Sequence, residues 1–182
     1  MTGVTEIRPL GTYLRQAESA DEEFLRRLYA EHRAAELELS GMDARQCEVF
    51  LQLQFRARQL SYAAYYPTAS DQIVHLEPGT PIGRILVERY PGGMRLVDIA
   101  LLHAWQGCGL GTRLVQALQQ ECASRGAALK LQALKGSAAE RLYLRLGFVV
   151  TGEDPFRRQM VWTEASPAKQ RERTTKRALC QA

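Results

Sequence analysis

The segment Gln106-Gly107-Cys108-Gly109-Leu110-Gly111-Thr112 carries the residue types and spacing with the clearest chemistry, because it joins an apolar strand to an amphipathic helix. The strand reads from Met94 to His103, and the helix from about Gly109 to Ser124, with Leu110, Leu114, Val115 and Leu118 on one stripe. Three glycines at the junction let the backbone approach a ligand closely and tolerate positive φ. The first N–H groups of the helix lack intrahelical partners, and their partial positive charge favours a phosphate. The spacing predicts an anion cradle made of the backbone N–H groups of Gly107, Cys108, Gly109, Leu110, Gly111 and Thr112, with side-chain contacts from Thr112 and Arg113. The same pattern also serves elsewhere as a plain tight connection.

The spacing narrows the ligand. A Walker loop needs Lys-Ser/Thr after its last glycine, whereas Thr112-Arg113 follows Gly111. A dinucleotide fingerprint reads Gly-x-Gly-x-x-Gly, whereas Gly107, Gly109 and Gly111 alternate. Gln106, Gly109 and Gly111 form Gln-x-x-Gly-x-Gly, which resembles the acyl-CoA pyrophosphate loop of the GNAT N-acyltransferases. A second segment, Ala139 to Phe148, resembles that family's Ala-x-x-x-Tyr-x-x-x-Gly-Phe helix and strand start. Between them Leu129, Leu131 and Ala133 alternate with Lys130 and Gln132, as in a half-buried strand. The long Phe-Leu-Gln-Leu-Gln-Phe helix with its Tyr-Tyr-Pro end is similar to an uncharacterised bacterial subgroup of the superfamily, a likeness that brings no substrate with it.

The resemblance implies an acetyl-CoA-dependent N-acetyltransferase. The acetyl group would pass to a primary amine of a small molecule or a protein by direct attack in a ternary complex. Acetyl-CoA is then a co-substrate, with its pyrophosphate on the Gln106–Arg113 loop and its pantetheine arm paired like an added strand with Ile99, Ala100 and Leu101. The N–H of Leu101 would polarise the thioester carbonyl. Tyr143 would protonate the leaving thiolate, since a phenol and a CoA thiol are of comparable basicity. The alternative for Tyr143 is a core tyrosine beside Leu142 and Leu146. Asp98, the acid within the apolar strand, is the first candidate for general base, and Glu88 the second; either also reads as a paired or outward-facing carboxylate. His75 and His103 are further titratable candidates that read equally as surface residues. Two departures stand out. Gly136 occupies a place where the family often has Asn, and Leu131 one where some N-terminal peptide acetylases carry a glutamate.

These groups need elements to hold them. Val4 to Leu10 reads as a short strand limited to an edge by Pro9. Helices follow over about Asp21–Leu39 and Ala44–Ala64, the second carrying Val49, Phe50, Leu53 and Phe55 and then Tyr62, Tyr65 and Tyr66. A meander of Asp71–Glu77, Ile82–Tyr90 and Met94–His103 is punctuated by Pro-Gly turns. After the loop helix come a strand over Ala127–Ala133, a short helix to Leu146, and strands over Phe148–Thr151 and Phe156–Thr163. This order matches the GNAT arrangement, an α/β (α+β) fold with a mixed, mostly antiparallel central sheet flanked by helices. The acceptor would lie between the two N-terminal helices and the last hairpin, lined by Arg58, Tyr62, Tyr65 and Tyr66.

Composition bounds the class. The 182 residues, 46% hydrophobic and 24% charged, suit one globular domain over residues 1–164. No run approaches the roughly 18 apolar residues of a membrane span, and Met-Thr-Gly-Val-Thr-Glu lacks signal-peptide order, so a cytoplasmic location without membrane contact is expected. Cys47, Cys108, Cys122 and Cys180 form no Cys-x-x-Cys pair and have no histidine in metal spacing, so no metal is expected. The tail 165–182 holds five basic residues and one acidic; without it the totals of 24 and 20 fall to 19 of each. The tail reads as a disordered segment or a loosely attached helix, solvated rather than bound to nucleic acid, so no nucleic-acid partner is expected. A homodimer is compatible with the family. Two rivals differ in class: a non-catalytic acyl-CoA-binding or sensing module, and a mononucleotide-binding α/β protein.

Overall fold

A computed structural model of the protein describes residues 11–76 and 79–164. The predicted strand Val4–Leu10 and the tail 165–182 lie outside the described residues. Seven strands, β1 (Thr12–Gln16), β2 (Ser70–Leu76), β3 (Thr80–Tyr90), β4 (Gly93–Leu101), β5 (Ala128–Leu134), β6 (Val149–Glu153) and β7 (Arg157–Trp162), are hydrogen-bonded in the order β1-β2-β3-β4-β5-β7-β6. Pairs β1–β2, β2–β3, β5–β7 and β6–β7 are antiparallel, and β4–β5 is parallel. Helix α3 (Leu110–Ser124) makes the crossover that a parallel pair requires. The fold is the mixed, mostly antiparallel α/β class that the sequence predicts.

The chain groups into two units, described in turn. The first holds the described residues up to 88 and residues 98–110. Its helices are α1 (Glu22–Glu38) and α2 (Ala44–Tyr65). Asp43 caps α2 by accepting from Gln46 N at 2.9 Å, while Gln46 returns a bond to Asp43 N at 2.9 Å, the reciprocal arrangement that fixes a helix start. On α1, Phe24, Leu25, Leu28 and Tyr29 recur at helical spacing and pack with Phe55 of α2 and Ile73 of β2. The stripe predicted on α2 is narrower than its sequence suggests. Phe55 is buried, but Val49, Leu53 and Leu60 are more than half exposed.

The second unit holds residues 89–97 and the described residues from 111 on. Leu114, Val115, Leu118 and Cys122 of α3 are buried at helical spacing. On β5 the buried residues Leu129, Leu131 and Ala133 alternate with exposed Lys130, Gln132 and Leu134, as the pleat requires. Helix α4 (Ala138–Arg145) is capped by Ser137, which accepts from Glu140 N at 3.0 Å, and stops at Gly147, whose φ of 86° suits only a residue without Cβ.

Candidate functional site

The site begins where β4 ends. Its ladder with β5 runs from Gly93/Ala128 to Leu96/Leu131, and β4 itself continues to Leu101. Leu102 N donates to Ile82 O at 2.9 Å, after which a turn of 3-10 helix at His103–Trp105 redirects the chain. The Leu101 carbonyl receives two donors, Nε2 of Gln106 at 2.9 Å and Nε2 of His32 at 2.9 Å. Gln106 therefore ties the turn back to the strand end. Close approach on the other side needs Gly83, because a Cβ there would fall 2.5 Å from Ala100 O and 2.6 Å from Leu101 Cδ2.

Gly107 and Gly109 have φ of 73° and 84°, the left-handed region that side chains resist. A Cβ on either would meet no atom within 4 Å, so the two are glycines for conformation, with open space above the turn. Gly111 differs, lying in the first turn of α3, which starts at Leu110 rather than Gly109. Buried Leu110 anchors the helix start, while Gln106, Gly107, Cys108, Gly109 and Arg113 are exposed. Cys108 donates its thiol to Trp105 O at 3.0 Å, which braces the turn.

Within the same unit a cavity of about 110 Å³ opens on Asp98, Ile99 and Ala100 of β4, with Tyr29 and His32 of α1 and Arg58 of α2 around it. Its charges are paired. Asp98 Oδ1 meets Arg58 Nη2 at 2.6 Å, and Oδ2 lies 3.7 Å from Arg84 Nη1. Arg84 also grips Asp71 through two bonds of 2.7 Å and donates to Gln59 at 3.1 Å. Arg58 donates to the Tyr62 hydroxyl at 2.7 Å, its guanidinium 5.2 Å from the centre of that ring and 5.4 Å from that of Tyr29. Burial works against the Arg58 charge, but Asp98 and Tyr62 outweigh it and hold the guanidinium pKa above its ordinary value. Burial first, and then the Asp98 carboxylate, push the Tyr62 phenol up despite the two arginines.

Several predicted site residues gain definite surroundings. Asp98 is a paired carboxylate, the second of the two readings its sequence position allowed. Glu88 is half-buried on β3. His75 is buried, stacks on Tyr13 at 5.1 Å and bonds Gly79 O at 2.9 Å, which is a structural role and not the surface position expected. His103 is exposed beside Glu31, whose carboxylate accepts its backbone N–H and lies 3.5 Å from Nδ1. Of the acceptor-lining candidates, Arg58 reaches the cavity and Tyr62 backs it, whereas Tyr65 is 77% exposed.

In the second unit Tyr143 is 5% exposed on α4, its ring centre 5.5 Å from that of Phe148. Gly136, which stands where the family often has Asn, has φ of 73°, a conformation glycine and asparagine share, and its N–H donates to Glu140 at 2.6 Å.

Sequence reasoning passed over His32 and Arg84. Both left a trace. Leu25, Leu28, Tyr29 and His32 stand at i, i+3, i+4 and i+7 of α1, so His32 continues the face of the buried stripe to its exposed end. Arg84 interrupts the apolar run from Ile82 to Val87.

The family model described as "Acetyltransferase (GNAT) domain" matches residues 38–164, more than half of the chain. The chain belongs to this GNAT acetyltransferase family. No curated protein matches its sequence. Solved structures share its fold. PaiA N-acetyltransferase from Thermoplasma acidophilum, in complex with coenzyme A, is 14% identical with a TM-score of 0.62, over 84% of this chain and 98% of that one. An acetyltransferase from Thermus thermophilus is 19% identical with a TM-score of 0.60, over 85% and 97%. A GNAT-family acetyltransferase from Listeria monocytogenes is 14% identical with a TM-score of 0.56, over 84% and 94%. At these identities the likeness is one of fold. Among the described residues no helix is long and apolar enough to cross a membrane.

Proposed function

We propose that the chain transfers an acetyl group from acetyl-CoA to a primary amine of a small molecule or protein, by direct attack in a ternary complex. The observation that carries this reading is the open turn at Gly107 and Gly109, whose left-handed backbone leads into the N-terminus of α3. Coenzyme A is the ligand in the Thermoplasma relative, and its phosphates suit such a turn. The main chain of residues 107–112 holds the pyrophosphate, with Thr112 and Arg113 at its margin. Ile99, Ala100 and Leu101, beyond the β4–β5 ladder, pair the pantetheine amides. We read residues 1–164 as one catalytic domain, followed by a basic segment over 165–182. A cytoplasmic setting accords with the three free thiols among the described residues.

Acetyl-CoA supplies the acyl group already activated as a thioester. The chain contributes three things. The Leu101 N–H polarises the carbonyl and stabilises the developing oxyanion. Tyr143 gives its phenolic proton to the departing thiolate. The cavity at Asp98 receives the amine, with Asp98 and Arg58 fixing its polar surroundings.

Isothermal titration with coenzyme A tests the donor half of the reading. Binding in the micromolar range that is weakened at least tenfold by Gly109→Val is the expected result. Tighter binding of ATP than of coenzyme A overturns it.

A further inference from the structure

We propose that His32 is the general base that takes the proton from the acceptor's ammonium group. The inference rests on the transferase reading and adds a residue to it. The cavity on Asp98–Ala100 has five titratable lining side chains, namely Tyr29, His32, Arg58, Arg84 and Asp98. Arginines do not accept protons at working pH. The Tyr29 hydroxyl offers a hydrogen-bond donor and no basic nitrogen. Protonating Asp98 would discharge its ion pairs with Arg58 at 2.6 Å and Arg84 at 3.7 Å. Among the lining side chains that leaves His32 as the nitrogen base.

Its anchoring points the same way. The Leu101 carbonyl can only accept, so the 2.9 Å contact requires a hydrogen on Nε2 of His32. The neutral ring then carries its lone pair on Nδ1. Leu101 is also the residue whose N–H is assigned to the thioester carbonyl, so the base is hung from the residue that orients the electrophile. The charged groups that share the cavity with the ring come from three other elements, Arg58 on α2, Arg84 on β3 and Asp98 on β4. The His103 ring lies 5.6 Å away and is itself contacted by Glu31 of α1, and Arg33, the next residue of α1, lies over the Tyr29 ring.

The step balances as follows. The ammonium loses a proton to Nδ1, giving a neutral amine and an imidazolium that returns the proton to solvent. The amine lone pair forms the C–N bond as the C–S bond breaks. The thiolate takes the Tyr143 proton, and the proton released from the new amide nitrogen restores the phenol.

Two variants test the role. In His32→Gln the amide can keep a donor on Leu101 O but cannot take a proton; in His32→Ala both are lost. CoA release is followed from pH 5.5 to 9 with ethanolamine, tyramine, lysine and spermidine as probes, beside nitrogen NMR of the His32 ring in the protein alone. The expected results are an Nε2–H tautomer, a fall of about 100-fold in kcat/KM at pH 7 in both variants, and disappearance of the acidic limb of the profile, with coenzyme A affinity unchanged in His32→Gln, which keeps the donor to Leu101 O. An Nδ1–H tautomer, or wild-type turnover whose acidic limb survives in His32→Gln, overturns the base role alone. Coenzyme A binding without wild-type turnover of any probe overturns the transferase reading, and the base role with it.

Discussion

The side-chain amide of Gln106 donates to the main-chain carbonyl of Leu101 at 2.9 Å, so the glycine turn and the end of β4 are one hydrogen-bonded piece. Moving either moves the other. Gln106→Leu removes the tie while leaving the exposed turn free to fold. Its coenzyme A affinity should fall about three- to tenfold by calorimetry, with stability lowered by no more than about 1 kcal/mol in a urea melt.

Gly83 permits that strand end to lie where it does. Gly83→Ala puts a methyl group 2.5 Å from the Ala100 carbonyl oxygen, a backbone atom that cannot swing aside. Overpacking of this kind costs about 1–3 kcal/mol. Thermal denaturation should report that loss. An unchanged melting temperature would mean that β4 shifts freely at Ala100.

Arg84 is almost wholly buried between Asp71 and Asp98. Arg84→Met strands the Asp71 carboxylate and leaves Asp98 with Arg58 alone, and should cost about 3 kcal/mol, since removing one partner of a buried pair leaves the other uncompensated. The double variant Arg84→Met/Asp71→Asn should recover part of that loss. Equal stability of single and double variants would deny the coupling.

Burial, reinforced by Glu121, pushes the Cys122 thiol up to about 11. A thiol with an ordinary value ionises in the unfolded chain from about pH 9, well before the native one does. The unfolded state is thus favoured by deprotonation, so this contribution is complete below pH 9 and is lost as pH rises towards 11. Two units correspond to about 3 kcal/mol at most. Chemical denaturation at pH 8 and pH 10.5 should show a decline that is smaller in Cys122→Ala.

Much of this was legible in the chain. The glycine turn, the two flanking helices and the strands from β2 onward follow from local signals, namely helical stripes, period-two alternation and Pro-Gly punctuation, whereas β1 at Thr12–Gln16 falls where no strand is read from the sequence. What the sequence hid was pairing over long separations. Asp98 reads as a lone acid in an apolar strand because its partners, Arg58 and Arg84, lie 40 and 14 residues away. His32 reads as another polar residue of α1 until the fold brings Leu101 O to its ring. Val49 and Leu53 look like core and are not, since periodicity marks a face without saying whether anything covers it.

The most direct measurement is CoA release from acetyl-CoA over a panel of amines, amino acids, polyamines and peptides, with wild type and Tyr143→Phe side by side. Turnover is expected on one class of amine, lowered about 100-fold in Tyr143→Phe, with acetyl-CoA affinity nearly unchanged. Equal turnover in the variant would contradict the proton-donor role, and tight acetyl-CoA binding without turnover on any member would make the chain an acyl-CoA-sensing module instead.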